Sequence, residues 1–157
     1  MAVVTATGKD SGTSTKKGDG SKDFPAIEDG VYVAEVARCQ YRDRANADFW
    51  PSFKSHDAEI NWGFKITSGE YKNRWFFLDT ELTLDPGSQL RHVIKELLLK
   101  DDLDEGFSID TDDLSDWEGL DCRIRVEKYY SNKHKEFRNA VREVLRPTDA
   151  MYGENPF

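Results

Sequence analysis

Between Ala58 and Ile66 apolar and polar side chains alternate without a break: Ala58, Ile60, Trp62, Phe64 and Ile66 fall on one side, Glu59, Asn61, Gly63 and Lys65 on the other. A period of two marks a half-buried strand. The preceding segment GVYVAEVARCQY, Gly30 to Tyr41, is β-branched and aromatic with apolar residues at mostly alternate positions, which predicts a first strand long enough to bend. After a glycine-containing turn, TSGEYKN, the stretch RWFFLDTEL predicts a third strand. There Phe76, Leu78 and Leu82 share one face, leaving Trp75 and Phe77 on the other among Asp79 and Glu81.

The period then changes. Ser88 can cap a helix in which Leu90, Val93, Ile94, Leu97 and Leu98 recur at three-to-four spacing. An acidic connection follows, with Leu114 and Trp117 as its expected anchors. Gly119 opens a fourth strand, Leu120, Cys122, Ile124 and Val126 facing one way and Asp121, Arg123, Arg125 and Glu127 the other. A basic turn, SNKHKEF, leads to a fifth strand, RNAVREVL, which Pro147 ends.

Three strands, a helix and two more strands predict a mainly β fold: an OB-fold-like five-stranded antiparallel Greek-key barrel with a helix between strands three and four. An open antiparallel α+β sheet is the alternative. A parallel sheet is excluded, because strands one to three lack helical crossovers. The domain is expected over residues 24–147. Residues 1–23, rich in Gly, Ser, Thr and Lys, are expected to be a disordered arm, and residues 148–157 a flexible tail.

At 157 residues, 38% hydrophobic and 33% charged, the chain is long enough for one domain with a real core. No apolar run approaches the roughly 20 residues that cross a bilayer. The start lacks the apolar region of a signal peptide, so a cytoplasmic location is expected. Cys39 and Cys122 are too few for a disulfide framework or a metal site and are expected to be small core residues.

The net charge of -8 hides a polarised distribution. From Asp101 to Asp121 there are ten acidic residues and no basic ones, and from Cys122 to Arg146 eight basic against three acidic. In an OB-fold, ligands meet the face of strands two and three and the loops joining strands one to two and four to five. The first of those loops is RANADFWPSFKSH extended to include Arg42, in which Trp50 and Phe53 lie beside Arg42, Arg44, Lys54 and His56. Phe49 in the same loop is expected to fold onto the core. The second loop carries Lys133, His134 and Lys135, flanked by Tyr129, Tyr130, Arg138 and Arg142, and between the loops lie Lys65, Trp75 and Phe77.

Cations interleaved with rings match the two handles of an unpaired nucleic acid strand, phosphates and base faces, each stacked base being worth about 1–3 kcal/mol. The nucleic-acid candidates are therefore Arg42, Arg44, Trp50, Phe53, Lys54, Lys65, Trp75, Phe77, Lys133, Lys135, Arg138 and Arg142. Two other classes stay open. The same rings would suit a protein-interaction domain, and Asp79 and Glu81 with Glu59 would suit a magnesium-dependent nuclease. His56, His92 and His134 are not at metal-ligand spacing, and placing Gly106 as the glycine of an EF-hand puts Leu103 at a ligand position, so that motif fails. No phosphate-binding glycine loop, nucleophile elbow or HExxH is present; no catalytic residue, cofactor or metal is expected.

Several of these stretches carry a resemblance. From GVYVAEVARCQY through WGFKITSGEYKNRWFF, LRHVIKELLLKD and DWEGLDCRIRV to RNAVREVLRP, the chain resembles the small phage-encoded single-stranded-DNA-binding proteins with an OB-fold. Its end, ENPF, is similar to the Pro-Phe-tipped acidic tail with which bacterial single-stranded-DNA-binding proteins recruit replication and repair enzymes. The resemblance implies a non-enzymatic protein that binds and protects single-stranded DNA without sequence preference during phage replication, recombination or repair. Glu154, Pro156 and Phe157 would then meet replication or recombination partners. A homodimer through an exposed strand edge is a further possibility.

Overall fold

The computed structural model describes residues 25–147. The expectations for residues 1–23 and 148–157, including the tail residues Glu154, Pro156 and Phe157, lie outside the described residues. Five strands and one helix follow in the expected order: β1 (Gly30–Asp43), β2 (Ala58–Ile66), β3 (Trp75–Glu81), α1 (Gln89–Leu97), β4 (Asp121–Ser131) and β5 (Glu136–Leu145). They form one antiparallel sheet in the order β3-β2-β1-β4-β5. The run β4-β1-β2-β3 is the Greek-key arrangement, in which a fourth strand returns beside the first.

Barrel closure is where the sequence expectation changes. β3 and β5 are the two edges of the sheet, so no ladder joins them. Helix α1 stands at that side instead. Its His92 donates from Nε2 to the Val144 carbonyl of β5 at 3.1 Å, and the buried Glu96 receives the Arg146 backbone N–H at 3.0 Å and its guanidinium at 3.4 Å. A carboxylate at one helix position and an arginine beyond the last strand thus replace the missing backbone pairing.

The helix begins as its cap predicts, with Ser88 Oγ accepting from Arg91 N at 3.3 Å. It buries Leu90, Val93, Ile94 and Leu97. Facing them in the core are the alternating residues of β2, Ile60, Trp62, Phe64 and Ile66, together with Val36, Ile124 and Val126, all fully buried. Each such side chain contributes about 1.5–3 kcal/mol relative to exposure. Trp62 stacks on Phe64, donates from Nε1 to Thr80 Oγ1 at 3.0 Å, and receives the edge of Trp117. Leu114 is buried and Trp117 half-buried, as expected of the acidic connection's anchors.

Both cysteines are buried and free. Burial, helped by Glu118 beside Cys39 and Asp121 beside Cys122, pushes each thiol up to about 12. Gly119, at φ 91°, admits the left-handed turn into β4 and donates its N–H to the Val36 carbonyl at 2.7 Å. Among the described residues no helix is long and apolar enough to cross a membrane.

By compactness the chain divides into two units. One comprises Glu28–Glu127 and the chain from Ala140 onward; the other comprises the hairpin tip Lys128–Asn139 and the segment ending at Ile27. In the second, Asn139 clasps the Ile27 backbone, its Oδ1 accepting from the N–H at 2.9 Å and its Nδ2 donating to the carbonyl at 3.0 Å.

Candidate nucleic-acid interface

Strand pairing decides which side chains share the outer face of β1, β2 and β3. Lys65 is paired with Trp75 and with Glu35, Gly63 with Phe77 and with Arg38, and Asn61 with Asp79 and with Gln40. Trp75 and Phe77 therefore stand two residues apart on one strand, ring centroids 6.0 Å apart and planes 32° from parallel, both partly exposed. A β-bulge between Val36 and Arg38 re-aims β1 at this point. Arg38 then lies over the Phe77 ring at 5.2 Å and donates to Asn61 Oδ1 at 3.2 Å. The absence of a side chain at Gly63 lets these groups meet: a Cβ there would come within 3.0 Å of Phe77 Cε1 and 3.2 Å of Arg38 Cβ. Lys65 completes the edge of the platform, 3.6 Å from Glu35.

This covering corrects the alternation reading. The polar face of β2 was expected to be open, yet Glu59, Asn61 and Gly63 are buried as well as Ile60, Trp62 and Phe64. Side chains from β1, β3 and the β1–β2 loop lie across it.

In that loop the same carboxylate organises everything. Glu59 is 0% exposed, and its two oxygens accept from Lys54 Nζ at 2.9 Å each. His56 Nε2 lies 2.8 Å from Oε1 and Arg42 3.5 Å from Oε2. Lys54 also reaches Asp79 at 3.0 Å. Trp50 covers the cluster, its ring 4.9 Å from the Lys54 ammonium and 5.8 Å from both Arg42 and Arg44, and its Nε1 donates to the His56 carbonyl at 3.2 Å. Arg44 closes the loop ends, donating to Asp57 at 2.7 Å and to the carbonyls of Lys54 and His56.

The predicted site residues thus separate. Lys54, expected to meet phosphate, has a side chain only 9% exposed and serves as the counter-ion of Glu59 and Asp79. Trp50, expected to stack on bases, is half-buried over it. Arg42 and Arg44 line the same cluster, partly exposed. Phe53, also expected to stack on bases, is 83% exposed. Phe49, expected to be core, is 74% exposed and is a ring the sequence reading missed. With Trp50 and Pro51 turned inward between them, the flanking phenylalanines are left outside. Arg38 was also missed; the apolar alternation of β1 hides the bulge that brings it over Phe77.

The remaining candidate cations belong to β5 and the turn before it. Arg142 is paired with Glu127 at 3.2 Å. In the hairpin-tip unit, Arg138 is paired with Glu136 at 2.9 Å, whereas Lys133 and Lys135 are exposed on the turn, Lys135 in the left-handed region at φ 59°. Of the carboxylates considered for magnesium, Asp79, Glu81 and Glu59, the first and last share the Lys54 ammonium between them, and among the described residues no group of three His, Cys, Asp or Glu could hold a metal ion.

No family model matches the chain, and no curated protein matches its sequence.

Proposed function

We propose that the protein binds single-stranded DNA without sequence preference and does so without catalysing a reaction on it. The observation that carries this reading is the outer-face platform: Trp75 and Phe77 side by side and partly exposed, with Arg38 against one ring and Lys65 beside the other. Flat rings next to cations suit unstacked bases joined by phosphates, and the contact tolerates any base because every base has a π-face. Phe49 and Phe53 offer two further rings from the β1–β2 loop, the loop that OB-type sheets use for oligonucleotides. The sequence resemblance to phage single-stranded-DNA-binding proteins points the same way, toward strand protection in replication, recombination or repair.

Trp75 is the natural reporter, since Trp62 is fully buried and Trp50 and Trp117 are half-buried. Titration with oligo-dT at low salt should quench tryptophan emission, and added salt should restore it with a slope of about 0.7 in log affinity per neutralised phosphate. In a Trp75→Phe variant binding should persist while most of the quench disappears. Unchanged wild-type emission at low salt, together with no shift of labelled single-stranded oligonucleotide, defeats the proposal. Nicking of the same oligonucleotide on addition of magnesium would favour a nuclease instead.

A further inference from the structure

The hairpin-tip unit presents a surface that the strand platform leaves unexplained. Tyr129, Tyr130 and Phe137 are all exposed, and Tyr130 meets Phe137 edge to face at 5.3 Å. Tyr129, next to Tyr130 on β4, projects to the other face, and the same unit carries exposed Lys128, Lys133, Lys135 and Arg138 with a single carboxylate, Glu136, which Arg138 pairs. An aromatic centre with a charged rim is the make-up of a protein-binding patch, and rings held outside at this density mark an interaction site.

The chain also carries the opposite surface. All ten acidic residues from Asp101 to Asp121 are exposed, and no basic residue lies among them. Asp101, Asp102 and Asp104 have cation partners in Arg146, Arg91 and Lys100. Glu105, Asp110, Asp112, Asp113, Asp116 and Asp121 have no ion pair among the described residues. Like charges crowded this way repel, and a cationic surface brought against them relieves the repulsion.

We infer that the hairpin tip docks on the acidic segment of a second copy of this chain. Each copy supplies one cationic patch and one anionic patch at equal stoichiometry. Because each copy carries both patches, the contact either closes as a reciprocal pair or ring or repeats along a row of copies. The inference stands apart from the DNA reading.

Sedimentation of the full chain over a concentration series should show mass growing with concentration at low salt and falling to monomer at high salt, because the attraction is between exposed charges. Lys133→Glu with Lys135→Glu should give a monomer at low salt, and so should Asp110→Lys with Asp112→Lys and Asp113→Lys. Mixed together, these two variants should associate again, since each reversed patch now meets its reversed complement. All five reversals in one chain should restore self-association. All substituted positions are exposed, and circular dichroism confirms folding. A monomeric wild type at every concentration in low salt overturns the inference, as does association that neither reversal weakens. Loss of oligo-dT binding in the hairpin variant while every form stays monomeric would assign the hairpin to nucleic acid instead.

Discussion

The strand platform and the β1–β2 loop both put rings into solvent, and they do so by different means. On the platform, Trp75 and Phe77 are outward because β3 alternates and its even positions, Phe76 and Thr80, are buried. Their support is backbone: paired strands beneath and a glycine at position 63. In the loop there is no ladder to alternate along. Phe49 and Phe53 are outward because Lys54 and His56 are drawn inward onto the buried carboxylate of Glu59, with Trp50 covering them. One presentation is set by the hydrogen-bond register, the other by electrostatics in a place shielded from water, where removing one partner leaves an unpaired charge.

The sharpest way to break this contrast is at Glu59. Glu59→Ala leaves the buried Lys54 without its main counter-ion and should lower unfolding free energy by about 3–5 kcal/mol in urea titrations. If the variant folds, exchange of backbone amides in residues 44–57 should rise while β3 stays protected. A Glu59→Leu, Lys54→Met double variant should recover much of the stability, because both charges are then gone. Equal loosening of loop and β3 would show that the carboxylate supports the whole sheet rather than the loop.

The platform responds to a different change. Phe77→Ala should weaken oligo-dT binding by about 1–3 kcal/mol, the worth of one stacked base. Gly63→Ala forces Phe77 and the Arg38 stem to shift and should cost about 1–3 kcal/mol of stability by overpacking. Its effect on the loop should be absent. Phe49→Ala and Phe53→Ala complete the comparison: as exposed rings they should change stability by less than about 0.5 kcal/mol yet reduce oligo-dT affinity. Unaltered affinity in both would confine the site to the platform.

The smallest effect is chemical. With both thiols held up at about 12, neither Cys39 nor Cys122 should react with a thiol reagent at pH 8.5 in the folded chain, and both should react on unfolding. The linkage has the sign of a raised pKa. The thiols' contribution to stability is fully present below the unfolded pKa near 8.5 and is lost as pH rises from there toward about 12. Rapid labelling of native protein would contradict their burial.

The legible parts of the chain were those governed by periodicity. The alternation of β2 named Ile60, Trp62, Phe64 and Ile66 as core, the change of period located α1 from its Ser88 cap, and the β3 pattern placed Trp75 and Phe77 outside. Closure of the barrel was not legible, because whether β3 and β5 pair depends on what lies between them. A helix carrying Glu96 and His92 toward the end of β5 meets that need with side chains separated by about fifty positions in sequence from their partners. The loop was the least legible segment. Lys54 looked like a phosphate ligand and Phe49 like core, since nothing local announces that Glu59, at a solvent-facing position of an alternating strand, is buried.

The sequence by itself determined the elements, their order and the inward residues of each strand, because these follow from backbone geometry that repeats every two or 3.6 residues. Only the tertiary structure decided which charged groups face water. That choice depends on the dielectric surroundings of each group. Those surroundings are made by Arg42, Trp50 and Asp79, which arrive from β1, from the loop and from β3 to enclose one carboxylate.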